Sequence, residues 1–511
     1  MTKKKKSKQS IFIRTLNKFF EDITTVHGTN HFTTKTGKDL FLWSVIFICN
    51  ILFTASFIAI AKHKYDDDHI VTKIDANCNV GQVPFPAVSI CNFNMVSKRQ
   101  SKVIENLLKR HSIAQDEIDG FFQAVPFLKN YRVNSTRVGN YTRIMNILKY
   151  HYYTVDSIMT EVHQQCEDLL LYCTFNRKEK DCRNVFYLIK TMEGHCCSFN
   201  YGGVTDTSEN PLIEKDQDFE YYYDEENDGT GPSARMMVAT SEFGRLSGLF
   251  VVFNVEPDDY PSYSNAPYYG AKILVSDPFD FPETTTMYQY IAPGESLDLK
   301  IEPKIFQTDN ELKKVDPKKR RCWFHDEVNL EHTNRYSHET CSTECKMQTY
   351  MDICGCIPYK YPKERSKRIC ELEDLKCLNN VTAHVSQKDM NCHPPCYMEC
   401  ADKKFSIRQD TNTIESEYIP EKIKLEYNVP KLSALHVYYG QSSCNCYKLS
   451  LLMDMNYFIG TYGGVFSLSF GGSIITMIEL LYLLIRFIFT NLVYLFEKIL
   501  RNNVIYSSRT D

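Results

Sequence analysis

The sequence predicts a membrane α+β protein in which two transmembrane helices flank a large, disulfide-rich extracellular domain with a β-core and helical peripheral lobes. Three observations lead to this fold class. A long apolar segment lies near each end of the 511-residue chain, the N-terminus is strongly basic, and 19 of the 20 cysteines lie between the two apolar segments. The net charge of −4 and the 24% of charged residues give no sign of a disordered or nucleic-acid-binding chain.

The first apolar segment, residues 40–61, contains no charged side chain. A helix of this length rises about 33 Å, enough to cross a hydrocarbon core about 30 Å thick. A cleaved signal peptide is the rival interpretation. However, 39 residues precede the segment, and Lys62-His63-Lys64 follows it in place of a small-residue cleavage site. We therefore expect a retained transmembrane helix.

The second apolar segment, residues 458–489, carries only Glu479 and Arg486 as charged residues. Basic residues cluster outside both segments, with nine of them up to Lys38. The positive-inside tendency then predicts cytosolic termini, residues 1–39 and 490–511, and an extracellular domain of residues 62–457 in the plasma membrane.

The cysteine content predicts disulfides, because the extracellular space is oxidising. Ten cysteines lie between Cys322 and Cys400. Zinc is the alternative, since the C-x3-C pairs could be ligands on helix turns, but the histidines lack zinc-finger spacing. Glycosylation sequons at Asn134, Asn140 and Asn380 fall in the same part of the chain and favour the same side of the membrane.

The pattern of apolar residues changes along the extracellular domain. Apolar positions at helical spacing predict mostly helices over residues 98–195, and runs such as 248–255 and 271–275 predict strands over residues 197–300. An acidic, tyrosine-rich tract covers residues 214–228. It is either a solvated surface loop or a site that binds calcium or senses protons, and its spacing does not match an EF-hand.

Small residues mark the first half of the second segment. Gly460, Gly463, Gly464, Ser467 and Gly471 are spaced so that they share one face of a helix. Close packing of helices is one explanation of this face. Exposure of backbone carbonyls to a water-filled path is the other.

The tract Gly471-Gly472-Ser473 favours the second explanation. Adjacent glycines permit a local break in a helix, and lipid tolerates such a break only where it lines protein or water. Several copies of the tract would form a ring of carbonyls and hydroxyls that can replace the hydration shell of a small cation. Glu479, six residues further on, would concentrate cations, unless it pairs with Arg486 on the same helix face.

In these residues, and in three further motifs, the chain resembles the degenerin/epithelial sodium channel family. The G-x-S tract with Thr476 and Glu479 is similar to the selectivity-filter signature of that family. His27-Gly28 resembles its cytosolic gating motif, residues 85–92 (FPAVSICN) resemble its signature after the first span, and the cysteines from Cys322 to Cys400 resemble its thumb domain. Finer features, such as Arg321-Cys322-Trp323-Phe324, are similar to the insect pickpocket subfamily.

The resemblance implies a homo- or heterotrimeric, amiloride-sensitive channel for Na⁺, with no cofactor beyond the permeant ion. It implies a selectivity filter at Gly471, Gly472 and Ser473, and pore or gating roles for Gly460, Glu479, His27 and Gly28. It also implies three disulfides, which are Cys91–Cys196, Cys354–Cys377 and Cys356–Cys370. The partners of the other cysteines stay open, including Cys322, Cys341, Cys345, Cys392, Cys396, Cys400, Cys444 and Cys446.

Two alternatives to a conducting subunit remain at this point. One is a non-conducting auxiliary subunit of such a channel. The other is a two-pass receptor or adhesion protein whose spans only anchor the outer domain. An enzyme is not expected, because the sequence contains no nucleophile elbow, no P-loop and no HExxH motif.

Overall fold

The computed structural model describes most of the chain, namely residues 37–66, 70–75, 78–131, 141–204, 206, 220–222, 237–333, 335–363, 366–384, 390, 392–452 and 455–507. These residues form two compact units. The membrane unit combines the residues up to Val71 with those from Leu451 onward, and the outer unit runs from Thr72 to Ser450.

The α-helices of the described residues differ widely in length, from single turns in the outer unit to long apolar helices in the membrane unit. In chain order they are α1 (Lys38–Asp66), α2 (Lys102–Arg110), α3 (Gln115–Ala124), α4 (Phe127–Asn130), α5 (Thr142–Tyr150), α6 (Val155–Val162), α7 (Cys166–Leu169), α8 (Cys182–Val185), α9 (Pro317–Arg320), α10 (His338–Cys354), α11 (Leu375–His384), α12 (Glu421–Glu426), α13 (Met455–Phe470) and α14 (Ile474–Ser507).

The strands of the described residues begin just after α1 and end just before α13. In chain order they are β1 (Ile70–Asp75), β2 (Ala87–Asn92), β3 (Leu170–Phe175), β4 (Lys178–Lys180), β5 (Phe186–Thr191), β6 (Gly194–Phe199), β7 (Glu220–Tyr222), β8 (Met237–Ala239), β9 (Leu249–Phe253), β10 (Ala271–Ser276), β11 (Met287–Ile291), β12 (Glu295–Thr308), β13 (Cys322–Trp323), β14 (Met398–Glu399), β15 (Asp402–Thr413), β16 (Ser433–Tyr439) and β17 (Asn445–Leu451).

Two sheets form the centre of the outer unit. The larger has eight strands in the order β1-β17-β12-β16-β9-β3-β4, with β15 added to β12, and the smaller has five in the order β11-β10-β2-β6-β5. Side chains from both sheets meet in one hydrophobic core, which includes Val88, Ile90, Val251, Leu297 and Leu435. The predicted fold class is therefore confirmed: two apolar helical segments flank a disulfide-rich domain with a β-core and helical lobes.

The helical lobe has a separate core. Short amphipathic helices α2 to α6 pack against α10 and α11, and their apolar faces bury Ile104, Phe121, Leu148, Ile158 and Leu378. The prediction of mostly helices over residues 98–195 holds only as far as α7, because β3 and β5 are strands of the two sheets. The prediction is wrong there because a short, continuously apolar run has no period that distinguishes a buried strand from a helix.

The FPAVSICN segment is part of the core. The ring of Phe85 is fully buried and lies edge-on to Phe175, Phe199 and Tyr439, with centroid distances of 5.2, 6.1 and 5.5 Å. Six residues of the segment then form β2, which pairs with β10 on one side and β6 on the other. This motif therefore has a packing role, and its likeness to a family signature reflects the shared fold.

Within the part of the outer unit that the structure describes, nine disulfides brace the fold. They are Cys78–Cys444, Cys91–Cys196, Cys166–Cys197, Cys173–Cys182, Cys322–Cys400, Cys341–Cys396, Cys345–Cys392, Cys354–Cys377 and Cys356–Cys370. The sulfurs of both C-x3-C pairs are thus consumed in disulfides, which leaves no thiolate there for zinc. Cys49 in α1 and the buried Cys446 in β17 are free thiols.

Candidate functional site

The membrane unit holds the apolar helices that sequence analysis singled out. α1 has 29 residues and a mean hydropathy of 2.3 over its most apolar window, which is long and apolar enough to cross a membrane. α13 and the first half of α14, to Phe489, pass the same test as one span, although they are bent by 74° at the break between them. The described residues therefore contain one candidate span, or two if the bent pair is counted as one.

α1 and α13 lie side by side. Aromatic rings meet near both ends of the contact, with centroid distances of 4.5 Å between Tyr65 and Phe458 and 5.9 Å between Phe47 and Phe470. Between them, the side-chain amide of Asn50 donates a hydrogen bond of 2.6 Å to the backbone carbonyl of Ser469. Sequence reasoning missed this residue, although an amide inside an uncharged apolar segment is a signal that could have indicated it.

The break between α13 and α14 falls on residues Gly471, Gly472 and Ser473. Gly471 has a φ of +63°, in the left-handed region that side chains with a Cβ disfavour. A Cβ added at Gly472 would overlap the ring of Phe466. Gly471 is thus favoured for its backbone angle, and any larger residue at Gly472 would have to displace the ring of Phe466.

Ser473 begins the second half of the segment. Its Oγ accepts a hydrogen bond of 3.3 Å from the backbone N–H of Thr476 and lies 3.2 Å from the Thr476 hydroxyl. This is the arrangement of an N-cap, in which a serine oxygen satisfies an N–H group that has no partner inside the helix. Ser473 itself is exposed in the single chain, whereas Thr476 is buried.

The small residues of α13 leave open space. A Cβ built on Gly460, Gly463 or Gly464 meets no other side chain or distant backbone atom within 4 Å. These glycines therefore do not serve the contact between α1 and α13. The prediction that Gly471 continues their helical face is wrong, because α13 ends at Phe470 and the chain turns at Gly471.

Glu479 lies in the second turn of α14 and is half-buried. Sequence analysis left open an ion pair with Arg486. Both residues belong to the described part of the chain, and no ion pair joins them there.

The other predicted site residues are dispersed. His27, Gly28, Asn134 and Asn140 lie outside the residues that the structure describes. Asn380 lies on α11 and is exposed. Of the acidic tract, only β7 is described, and it pairs with β8 in a two-stranded sheet.

A comparison with protein families adds the decisive observation. The profile of the family described as "Amiloride-sensitive sodium channel" matches residues 20–483, which cover the first apolar segment, the whole outer unit and most of the second apolar segment. The chain belongs to this family. It is a family of ion channels and not of enzymes, and its channels assemble as trimers in membranes.

Individual members of the amiloride-sensitive sodium channel family are distant relatives. The chain is 24% identical to pickpocket protein 28 of Drosophila melanogaster over 498 residues, which are 90% of this chain and 76% of that protein. It is 24% identical to the sodium channel protein Nach of the same species over 448 residues, or 86% and 80% of the two chains. Identity to acid-sensing ion channel 1B of Danio rerio is 20% over 484 residues, or 91% and 76%. The resemblance to the degenerin/epithelial sodium channel family is thus confirmed.

Proposed function

We propose that this chain is a conducting subunit of a trimeric, amiloride-sensitive, sodium-permeable channel of the plasma membrane, gated through its extracellular domain. Both termini are cytosolic in this proposal, because basic residues flank the two spans on that side. The observation that carries the proposal is the break of the second span at Gly471, Gly472 and Ser473.

A broken span supports conduction rather than anchoring. A helix that only anchors a domain keeps all its backbone hydrogen bonds, whereas a break leaves polar groups that lipid cannot satisfy. Asn50 satisfies the carbonyl of Ser469, and Gly471 N–H bonds the carbonyl of Ser467 at 2.8 Å. The exposed Ser473 hydroxyl requires a polar surrounding, which three copies around an aqueous axis would supply.

Two further features support a shared axis. Within the described part of the chain, a Cβ on the glycines of α13 would meet no neighbour within 4 Å, so the space beside them suits a second copy of the helix or a path for ions. Glu479 has no ion pair with Arg486, so three carboxylates below the filter would attract cations. We propose Gly471, Gly472 and Ser473 as the selectivity filter, with Gly460 and Glu479 as pore residues.

Expression of the full chain alone in oocytes tests the proposal. We expect an inward current that amiloride blocks and that disappears when Na⁺ is replaced by a large organic cation. Gly460→Val should be tested in parallel, since an added Cβ at Gly460 meets no side chain or distant backbone atom of the described residues within 4 Å and the extra bulk would act by preventing closure of the assembled pore. Leu468→Val, at a highly exposed position of the same helix, is the matched control.

The two alternatives predict different results. A constitutive current from Gly460→Val but not from Leu468→Val supports the conducting subunit. Silence of the wild type and of Gly460→Val at normal surface level would contradict it and favour the auxiliary subunit, which should then alter the current of a co-expressed family member. An anchoring receptor would show neither effect.

His27 and Gly28 belong to the same proposal as gating residues of the cytosolic N-terminus. We expect His27→Ala or Gly28→Ser to reduce the current without loss of surface protein. His31→Ala, four residues along the same segment, is a suitable control. Unchanged current in both variants would remove these residues from the proposed gating machinery.

A further inference from the structure

The helical lobe of the outer unit contains an internal repeat with an offset of 40 residues. α2 begins at Lys102 and α5 at Thr142, while α3 begins at Gln115 and α6 at Val155. Seven residues between positions 104 and 118 recur 40 positions later, and the pairs are Ile104/Ile144, Asn106/Asn146, Leu108/Leu148, Lys109/Lys149, His111/His151, Asp116/Asp156 and Ile118/Ile158.

The repeat has a structural basis at most of these positions. The paired isoleucines and leucines are buried in the core of the lobe, so they conserve the packing face of a helix–turn–helix unit. The paired histidines are not buried, and His111 is exposed whereas His151 is half-buried. Packing therefore does not account for the recurrence of histidine.

Both histidines end their helices in the same way. His111 caps α2 with φ −91° and ψ 18°, and His151 caps α5 with φ −94° and ψ 20°. The next residue has a left-handed backbone in each case, with φ +57° at Ser112 and +65° at Tyr152. The two helices therefore end with the same backbone geometry, and each places a histidine at its C-terminal end.

The two rings meet across the repeat. The Nε2 atoms of His111 and His151 lie 3.1 Å apart, and the ring centroids are separated by 5.3 Å at an interplanar angle of 65°. When a two-fold axis relates two copies of a motif, equivalent residues of the two copies meet at that axis. Two imidazole nitrogens thus face one point on the protein surface.

We propose that His111 and His151 bind a divalent transition-metal ion of the zinc class through their Nε2 atoms. Two nitrogens that each lie about 2.1 Å from a tetrahedral zinc ion are about 3.4 Å apart, so the rings need to separate only slightly from the 3.1 Å observed here. Imidazole is a preferred ligand of zinc, copper and nickel, whereas calcium and magnesium select oxygen. The partial negative charge of two helix C-termini also favours a cation at this point.

The surroundings are polar and set a limit on affinity. Glu117, Thr142 and Asn146 line the same surface depression as His111, so water can complete the coordination, whereas no described carboxylate lies close enough to both rings to be a third protein ligand. Arg143 also lines it, and its positive charge opposes a cation. Binding should consequently be reversible, and it does not depend on whether the protein conducts ions.

Zinc content of the full-length protein tests this site. The purified chain is stripped with EDTA, incubated with ZnCl₂ and desalted, and the zinc per chain is measured for the wild type, His111→Gln and His151→Gln. His393→Gln, which removes an exposed histidine elsewhere, is the matched control. We expect the wild type and the control to retain one zinc ion per chain more than either of the other variants.

Equal zinc content in the wild type and the two test variants would overturn the proposal and leave a simple N–H···N hydrogen bond between the rings. Loss in only one variant would also overturn it, because both nitrogens are required. Thermal unfolding provides a second readout, since an ion that binds only the folded chain raises the melting temperature. ZnCl₂ should stabilise the wild type more than either variant, and equal shifts would contradict the site.

Discussion

The side-chain amide of Asn50 donates a 2.6 Å hydrogen bond to the carbonyl of Ser469, which lies at the last turn before the second span breaks. The last carbonyls of a helix have no partner within it, and lipid offers none. The first span therefore contributes directly to the stability of the break in the second.

Replacing Asn50 by leucine should destabilise the membrane unit by about 0.5–2 kcal/mol, the range of hydrogen bonds between transmembrane helices. The melting temperature of the detergent-purified chain is the measurement. Ser56→Ala is the control, because the Ser56 hydroxyl bonds only the Leu52 carbonyl of its own helix. An Asn50→Leu protein as stable as Ser56→Ala would refute this role.

Ser473→Ala should alter ion selectivity and weaken the start of α14 by about 1 kcal/mol, since alanine cannot cap the helix. Ser473→Thr retains the hydroxyl and the cap. Reversal potentials in Na⁺ and K⁺ solutions, recorded in the Gly460→Val background, should shift for Ser473→Ala more than for Ser473→Thr. Identical reversal potentials in all three channels would exclude Ser473 from the filter.

Loss of the Cys78–Cys444 disulfide should cost about 2–5 kcal/mol of stability, because the bridge closes a loop of 366 residues. Even with the other bridges intact, that loop is far longer than the one closed by Cys173–Cys182, with a separation of nine. The Cys78→Ser/Cys444→Ser variant should therefore melt below the Cys173→Ser/Cys182→Ser variant. The reverse order would show that loop closure does not dominate.

Glu399 should make the stability of the outer unit depend on pH. Burial, followed by the nearby charge of Asp402, raises the pKa of its carboxyl to about 7, while the N–H of His338 opposes this. Because the folded state holds the proton more tightly than the unfolded state, this carboxyl stabilises the fold at low pH. That contribution is lost as the pH rises from about 4.5 towards 7.

The Glu399→Gln variant should therefore gain stability relative to the wild type between pH 5 and pH 7.5. Melting temperatures at both values measure the difference. Glu421→Gln, at an exposed carboxyl paired only with Lys424 on its own helix, should show no such trend. A constant offset between Glu399→Gln and the wild type across this range would contradict the assignment.

The structural features that depend only on local composition could be predicted from the sequence. Uncharged apolar length identified α1, and the paired glycines at 471 and 472 identified a place where a helix can break. It did not predict that Phe466 fills the space beside Gly472, since ring placement depends on the fold of the segment. Asn50 was overlooked for a similar reason, because its partner is 419 residues away.

Cysteine spacing likewise could not predict which cysteines pair, because the pairing depends on the fold. Cys341 and Cys345 lie one helical turn apart on α10, which is compatible with zinc ligands as well as with two disulfides. The pairing with Cys396 and Cys392 depends on how a distant loop returns to that helix. The 40-residue repeat of the helical lobe is visible in the sequence. A role for its paired histidines, however, follows only from the contact between His111 and His151 in the structure.

The Cys78–Cys444 bridge also defines how the outer unit is inserted into the chain. Its two Cα atoms are 5.2 Å apart, so the polypeptide enters and leaves the residues between them at almost the same point. Domains whose two ends lie this close together can be exchanged as units between proteins. The outer unit, from Thr72 to Ser450, is thus suited to exchange between members of this family, and under the proposed function such a graft would separate the stimulus that a channel detects from the ions that it passes.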